Sequence, residues 1–365
     1  MATSGVATGT DLAVKKWKQD AFENALSMNV LNKYMGTDEM AVIHVNEELQ
    51  KGQGEKVVFS LSSDLTGQGV QGDSTLEGNE EALTSYAQTV TIDQYRNAVR
   101  VAGRMSEKRH AWTFWSKAKP KLTRWKAQFD EDKMFAAMGS VDGVLYSAAS
   151  TGQKDTHNVN NSDRILYGAT TSNYNATHAT ALGNVDSTTD VLNTAHLSLL
   201  KRMAKGARPR ISPIKVPNGP ASEMYVYFAH QYTTRDLKAD QDWQDAQLHA
   251  MPRGLDNPLF TGMIGIWDGI IVVETDKIAI LSGVGNGTIN VAQNIFCGAQ
   301  ALLVAMGGID GDRLGFVEKE FDYENQMGVA MSSIWGVEKA RFGTGAAGVT
   351  KDHGIITSYV SGVAD

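Results

Sequence analysis

The sequence predicts an α+β fold that combines an extended hairpin, an unusually long helix and a separate region of mixed helices and strands. Three observations lead to this prediction. Two β-patterned segments flank a long polar loop, apolar residues recur at helical spacing over residues 106–138, and prolines cluster at residues 209–220. With 365 residues, 42% hydrophobic and 21% charged, the chain can bury a core without disulfides, which excludes a small stapled scaffold and a wholly disordered chain.

The first 36 residues predict an amphipathic helix. Thr10 is a suitable N-cap, apolar side chains recur from Val14 to Met35, and Gly36 stops the pattern. Residues 2–5 are small rather than basic and apolar, and no long apolar stretch follows. We therefore expect no secretion signal and no membrane span, and folding in the cytosol.

The hairpin is predicted from residues 56–61 and 90–101, which have strand patterns. Between them, residues 62–83 contain four glycines and five acidic residues without a lysine or arginine. A loop of this length in a compact domain tends to be functional. We expect it to project from the body of the protein.

The long helix is predicted to begin near Ser106 and to end at Met138. About 33 residues at about 1.5 Å each make it about 50 Å long, and Pro120 is expected to bend or break it near Lys117. Residues 151–190 are rich in Thr, Asn, Ser and Gly, so we expect a surface loop or a small insertion there.

The second half of the chain predicts alternating helices and strands. We expect helices over residues 187–205, 234–249 (capped by Thr234) and 291–306, and β structure over residues 224–228, 264–280 and 315–342. The prolines between residues 209 and 220 predict a rigid, extended connection. Residues after 342 show no clear period.

No motif in the sequence predicts catalysis, a cofactor or a metal. Residues 67–72 match the glycine pattern of dinucleotide-binding loops, but acidic residues and no helical period follow them. Asp310 and Asp312 lack the remaining ligands of a calcium loop. The single cysteine, Cys297, lies in an apolar run and predicts a buried side chain. The other candidates are scattered histidines, each expected at the surface or as a cap: His44, His110, His196, His230 and His249.

Charge is distributed unevenly along the chain. Residues 104–126 and 201–215 carry net charges of +7 and +6, which leaves −20 for the rest of a chain whose total is −7. Such segregation is typical of a solvated helix face or of a surface that meets an acidic partner. We hypothesise that the acidic loop of one copy meets a basic stretch of the next. The candidate inter-subunit contacts are Asp64, Asp73, Glu77, Glu80, Glu81, Lys117, Lys119, Lys121, Arg124, Lys201, Arg202, Arg208 and Arg210.

Several separated blocks of the sequence, in one order, resemble a known family. They are GEKVVFSLSSDLTGQGVQGDSTLEGNEEAL, VTIDQYRNAVRVAGRMSEKR, RDLKADQDWQDAQ, NPLFTGMIGIWDGIIVVE, FCGAQALLVAMGG and FVEKEFDYENQMGVAMSSIWGVEKARF. Together they resemble the major capsid proteins of tailed phages, in the Enquatrovirus-like (podovirus) capsid family. The resemblance spans about residues 50 to 342.

The resemblance implies the Hong Kong 97-type capsid fold and a division of the chain into five parts. Residues 1–50 are expected to form an N-terminal arm and residues 51–104 the extended hairpin loop. Residues 105–190 are expected to hold the spine helix and the first part of the peripheral domain, with a polar insertion at 151–190. The axial domain is expected at residues 191–308, and residues 309–365 return to the peripheral domain.

The implied function is structural rather than enzymatic. Many copies are expected to form hexamers and pentamers of an icosahedral shell around double-stranded DNA, with scaffolding, portal and decoration proteins as further partners. The expected location is the virion, with assembly in the host cytoplasm. Alternatives are an encapsulin-like cellular compartment, a nucleotide-dependent enzyme that uses residues 67–72, and a tail or adhesion protein.

Overall fold

The computed structural model describes most of the chain. The described residues are 29–50, 54–62, 69–78, 80, 85–109, 114–214, 223–249, 264–308, 314–343 and 349–364. The α-helices are α1 (Arg104–Arg109), α2 (Phe114–Met138), α3 (Thr151–Asn160), α4 (His178–Gly183), α5 (Thr194–Gly206), α6 (Gln231–Ala239) and α7 (Gln241–His249).

The strands form two large sheets and two short hairpins. They are β1 (Met35–Gly36), β2 (Ile43–Asn46), β3 (Lys56–Ser62), β4 (Ser85–Thr91), β5 (Asp93–Arg100), β6 (Ile165–Tyr167), β7 (Tyr225–Ala229), β8 (Gly265–Trp267), β9 (Ile270–Glu274), β10 (Ile280–Leu281), β11 (Val291–Cys297), β12 (Leu302–Met306), β13 (Gly315–Phe321), β14 (Gln326–Lys339), β15 (Arg341–Gly343), β16 (Thr350–Asp352) and β17 (Ile355–Ser361).

The first sheet has the order β1-β2-β12-β14-β13, and β5 also pairs with β14. The 14-residue strand β14 is its centre, antiparallel to β5, β12 and β13. Helix α2 packs on one face of this sheet, where Ala118 and Leu122 meet Phe316, Val329 and Met331. Burial of such side chains stabilises the layer by about 1.5–3 kcal/mol for each large residue.

The second sheet has the order β6-β17-β11-β7-β9-β8, and β10 pairs with β11. Every residue of β7, β11 and β17 is buried. A strand buried on both faces has no alternation of apolar and polar residues. This explains why the sequence showed no period at the end of the chain, where β17 nevertheless forms part of the core.

The predicted hairpin is confirmed in part: β3 pairs with β4, from Lys56 opposite Thr91 to Ser62 opposite Ser85. Most of the predicted second strand, residues 93–100, instead forms β5 and pairs with β14 in the first sheet. Val57, Phe59 and Leu61 of β3 are buried against β12. The described part of the predicted loop, residues 69–78 and 80, contains no helix or strand. The hairpin is thus anchored at its base, and the acidic loop extends beyond the paired strands.

The predicted helix over residues 291–306 is wrong. The segment forms β11 and β12, which belong to different sheets. Gly298 lies between them, where a Cβ atom would come within 2.5 Å of the Ser212 carbonyl oxygen, so the backbone approaches too closely for another residue. An apolar run can form a buried helix or buried strands. Here the β-branched residues in both β11 and β12 favour strands.

The predicted surface loop over residues 151–190 is also wrong. It contains α3, β6 and α4, and Ser150 and Gln153 form a capping box at the start of α3. Asn158 and Asn161 are fully buried, and Arg164 is 1% exposed. Polar composition suggested exposure, but internal hydrogen bonds allow these groups to be buried.

Several predicted boundaries change. Helix α2 continues through Lys117 with Pro120 inside it, so the break expected near Lys117 is wrong. His230 rather than Thr234 caps α6, and α7 follows as a separate helix. Residues 30–34 form a 3-10 helix that leads into β1, so the end of the predicted N-terminal helix is wrong, and its earlier part lies outside the described residues.

Membership of the two sheets crosses the predicted domain boundaries. Strand β12, expected in the axial part, pairs with β14 of the first sheet, and β17, expected in the peripheral part, pairs with β11 of the second. Residues 165–167 likewise join the second sheet as β6. The division into domains remains a prediction, and the sheets provide the structural framework for the surfaces described below.

Candidate inter-subunit contact site

The acidic loop carries exposed carboxylates. Asp73, Glu77 and Glu80 are exposed, and Leu76 beside them is 60% exposed. Within the described residues, the only hydrogen bond to their carboxylates comes from the Gly78 amide, which donates to Glu80 at 2.8 Å. Asp64 and Glu81 lie outside the described residues. The loop therefore presents negative charge that its own described chain does not neutralise.

The predicted basic residues of α2 differ in their surroundings. Lys119 forms an ion pair with Glu318 of β13, with 2.6 Å between Nζ and Oε1. Lys121 and Arg124 are exposed on the helix, whereas the side chain of Lys117 lies outside the described part of the structure. Only some of the positive charge predicted on α2 is therefore available to a partner.

The second basic stretch lies at α5 and the segment that follows it. Lys201 pairs with Asp268 at 2.7 Å, and Arg210 pairs with Glu223. Arg208 is exposed, and its backbone amide donates to Asp163 at 3.2 Å, while Arg202 is exposed on α5. The structure thus places these residues in a different layer from α2, and acidic residues of the same chain neutralise part of their charge.

The cysteine and two of the histidines that the sequence analysis named are buried. Cys297 is 0% exposed, and burial raises the pKa of its thiol, which disfavours the reactive thiolate. His196 is 1% exposed, so the expectation of a surface position for it is wrong, and burial lowers its pKa to about 4. His230 accepts a hydrogen bond from the Tyr232 amide as the cap of α6, as expected.

The described residues contain no cluster of three or more His, Cys, Asp or Glu side chains that could bind a metal ion. Among the same residues, no helix has the length and apolar character needed to cross a bilayer. After Gly72, residues 73–78 form no helix. The glycine motif at residues 67–72 therefore lacks the helix N-terminus that a dinucleotide-binding loop needs. Asp310 and Asp312 lie outside the described residues.

Sequence reasoning missed a third group of basic residues. Arg96 and Arg100 lie on β5 and Lys319 on β13, far apart in sequence but on strands that both pair with β14. The available signal was the spacing of four residues between Arg96 and Arg100, an even number that puts both side chains on one face of β5. Their proximity to Lys319 depends on long-range pairing, which a local pattern does not reveal.

Comparisons with known proteins point to one family. A family model described as phage capsid protein matches residues 5–363. The chain is 29% identical over 360 residues to the major capsid protein of Pseudomonas phage KPP25, and the match covers 94% of each protein.

Solved capsid structures are similar as well. The chain matches the capsid of cyanophage Pam1 with 28% identity, a TM-score of 0.79 and 92% coverage of both chains. It matches the capsid of Ralstonia phage GP4 with 26% identity, a TM-score of 0.73 and coverage of 91% and 90%. The narrower Enquatrovirus-like assignment stays a prediction. The chain belongs to the phage capsid protein family, with the Hong Kong 97-type fold, and is a major capsid protein of a tailed phage, one of many copies that form an icosahedral shell.

Proposed function

We propose that this capsid subunit acts through shape and charge alone, transforms no substrate, and encloses packaged double-stranded DNA in a shell of hexamers and pentamers. The observation that carries the proposal is the acidic loop. Asp73, Glu77 and Glu80 are exposed and have no cationic partner among the described residues. Charges that a chain leaves unpaired favour oriented contact with another molecule, here the next copy.

The anchoring of the hairpin supports this role. Strand β3 buries Val57, Phe59 and Leu61 against the first sheet, which holds the base of the hairpin rigidly. A rigid base fixes the direction in which the loop extends, so little conformational freedom is lost when the loop binds a neighbour. Many such contacts, each weak alone, favour closed assemblies of identical subunits.

The charge of the chain suits the enclosure of DNA. With a total of −7, the subunit does not neutralise phosphates over its whole surface, so packaged DNA is held without tight binding. Scaffolding, portal and decoration proteins are the further partners that we propose. Assembly takes place in the host cytoplasm, and the finished subunit belongs to the virion.

Electron microscopy of the purified chain tests the proposal. We expect negative-stain images of closed shells of uniform diameter, formed by the chain alone or with a scaffolding protein. Particles purified from an infected culture are expected to protect double-stranded DNA from nuclease. Shells that contain protein cargo and no nucleic acid would favour a cellular compartment, and open rings or trimers would contradict the proposal.

A further inference from the structure

One histidine lies between two acidic residues in the interior of the chain. His157 of α3 is 5% exposed. Its Nδ1 atom lies 3.2 Å from Asp142 Oδ1, and its Nε2 atom lies 3.5 Å from Asp352 Oδ2. A carboxylate accepts hydrogen bonds and donates none, and only the protonated imidazole ring donates from both nitrogens. The positions of the two carboxylates therefore favour the charged form of the ring.

The charges in contact with each other are matched when the ring is protonated. Asp352 pairs with Lys339 at 2.8 Å, and both side chains are buried. Burial alone would raise the pKa of Asp142, but the hydrogen bonds that it accepts from His157 and Thr350 outweigh burial and lower that pKa. A neutral ring would leave the two carboxylates with one cation fewer, which is costly in a buried site.

The neutral ring has a different hydrogen-bond partner. Asn161 Nδ2 lies 3.1 Å from the same Nδ1 atom of His157 and 3.0 Å from the His157 carbonyl oxygen. Asn161 Oδ1 accepts from the Asp352 amide at 2.8 Å, which keeps the NH2 group of Asn161 turned toward the ring. A ring without a proton on Nδ1 can therefore accept from Asn161 and still donate from Nε2 to Asp352. Only the hydrogen bond to Asp142 is lost.

Other titratable groups surround the site. Among the described residues, those that face His157 or its two carboxylates are Asp142, Asp352 of β16, Lys339 and Glu338 of β14, Arg341 of β15, Arg164, His178 of α4 and His353. Histidine is the side chain that ordinarily changes its charge between about pH 5 and 8. Burial lowers the pKa of His178 and of His353 to about 4, so both rings are neutral in that range. His157 is therefore the group of this set that can respond to pH near neutrality.

The contacts of His157 join two parts of the chain that are far apart in sequence. Asp142 lies in the tight turn directly after α2, where its φ of 48° is the left-handed conformation of such turns. Asp352 belongs to β16, which pairs with β15. At the start of β15, the Arg341 amide donates to Gln88 Oε1 of β4 at 2.6 Å. His157 thus connects the end of α2, through β16 and β15, to the hairpin of β3 and β4.

We propose that His157 is a pH-sensitive latch between the turn after α2 and strand β16. While the ring carries both protons, it donates to Asp142 and Asp352 and holds the turn against β16. As the pH rises through about 5 to 8, Nδ1 releases its proton to solvent and accepts from Asn161, so that Asp142 faces a lone pair instead of a donor. The hydrogen bond from Thr350 to Asp142, at 3.2 Å, then holds the turn less firmly. The inference goes beyond the proposed function, since it concerns a single chain whether or not shells form.

Hydrogen exchange measured by mass spectrometry tests the latch in the unmodified chain. Peptides that cover residues 141–149 are compared at about pH 5.5 and about pH 8.5, on either side of the ordinary range of histidine, after correction for the intrinsic pH dependence of exchange. We expect their protection to fall at least tenfold at the higher pH, because the turn opens more often. Strand β11, residues 291–297, is the internal reference and should change less than twofold. Equal protection of residues 141–149 at both pH values would overturn the proposal.

Two substitutions should remove the pH response. His157→Gln keeps a hydrogen-bonding side chain without a titratable proton, and Asp142→Asn removes the charge that the latch holds. We expect the protection of residues 141–149 to differ less than twofold between the two pH values in each variant. The matched control His44→Gln changes a half-buried histidine of β2 outside this site and should keep the tenfold difference. A tenfold difference that persists in His157→Gln would contradict the latch.

Nuclear magnetic resonance of the histidine ring nitrogens gives a direct readout that needs no substitution. In chains with 15N-labelled histidine, the His157 ring is assigned from its contact with the Asn161 amide. We expect both ring nitrogens of His157 to carry protons at about pH 5.5 and Nε2 alone to carry one at about pH 8.5, while the His178 ring stays neutral at both. A His157 ring that is neutral at both pH values, or that keeps its proton on Nδ1 at the higher pH, would overturn the proposal even if the variants failed to fold.

Discussion

Residues 62–83 and 151–190 are both polar and poor in large apolar groups, yet they have opposite relations to the rest of the chain. In the first segment, Asp73, Glu77 and Glu80 are exposed and have no cationic partner in the described structure. In the second segment, Asn158 and Asn161 are fully buried and hydrogen bonded. The charges of residues 62–83 are therefore exposed to other molecules. The polar groups of residues 151–190 are instead buried in hydrogen bonds within the chain.

The buried polar network of the second segment connects it to the end of the chain. His157 lies between Asp142 and Asp352, with Nδ1–Oδ1 and Nε2–Oδ2 distances of 3.2 and 3.5 Å. Asp352 also pairs with Lys339 at 2.8 Å, and its amide donates to Asn161. A network of this kind is stabilising only while its members are satisfied, because an unpaired buried charge is costly.

The difference shows that the polar content of a segment does not define its role. What matters is whether the polar groups find partners within the chain. We expect changes in the buried network to lower the stability of the chain strongly and changes in the acidic loop to lower assembly strongly. Each of the following variants is measured on disassembled chains by denaturant unfolding.

The largest effect is expected from Lys339→Met. Lys339 and Asp352 are 1% and 2% exposed, so the substitution leaves a buried carboxylate without its counter-ion. We expect a loss of about 3–5 kcal/mol in the free energy of unfolding. The control Lys339→Met with Asp352→Leu removes both charges and should recover most of the loss. An unchanged stability of the single variant would contradict the described network.

A smaller effect is expected from Asn158→Ala. The Asn158 amide donates to the carbonyl oxygens of Asn175 and Ala176 at 2.6 and 3.2 Å and accepts from the Tyr167 hydroxyl at 2.9 Å. Three lost hydrogen bonds at about 1 kcal/mol each predict a loss of about 3 kcal/mol. The exposed Asn184→Ala serves as the control and should cost less than about 1 kcal/mol. Equal losses in both variants would argue against a special role for burial.

The next effect is a dependence on pH that His178 introduces. Burial lowers the pKa of His178 to about 4, below the ordinary value of 6.5, and the ring contacts the Tyr146 and Tyr167 hydroxyls. The folded state thus favours the neutral ring. The stability that the neutral His178 ring contributes is fully present above pH 6.5 and is lost as the pH falls toward 4, by about 3 kcal/mol. His178→Asn should lose this part of the pH dependence, and an identical pH profile would contradict it.

The smallest effect on stability is expected in the acidic loop. Glu77→Gln removes an exposed charge that has no cationic partner in the described chain. We expect the free energy of unfolding to change by less than about 0.5 kcal/mol, while the salt dependence of shell assembly becomes weaker. A loss of stability comparable to that of Asn158→Ala would show that the loop packs within its own chain. It would contradict the difference drawn between residues 62–83 and residues 151–190.

The sequence was sufficient to predict strand β3, the loop after it and the helix α2. It did not separate α1 from α2 or β4 from β5. The loop between β3 and β4 was marked by its glycines and acidic residues, and α2 by apolar residues that recur at helical spacing. These signals are local, because they depend on turn chemistry and on one face of one element. The resemblance of several sequence blocks to phage capsid proteins then connected the elements to a fold.

The errors have a common physical origin. The apolar run over residues 291–306 fits a buried helix as well as buried strands, and tertiary packing decides between them. Asn158 and Arg164 were expected at the surface because a local pattern does not show their hydrogen-bond partners. Asn158 donates to the carbonyl oxygen of Asn175, and Arg164 donates to that of His353, which is far away in sequence. The proximity of Arg96 and Arg100 to Lys319 depends on the pairing of β5, β14 and β13. Local periodicity contains no information about any of these contacts.

Sedimentation velocity of the purified chain over a range of salt concentrations shows whether charge contacts between copies hold the shell together. If the unpaired charges of the acidic loop hold neighbouring copies together, large and uniform particles are expected to form at moderate salt and to dissociate into subunits as the salt concentration rises. A species that keeps the mass of a single chain at every salt concentration, even with a scaffolding protein present, would contradict the account.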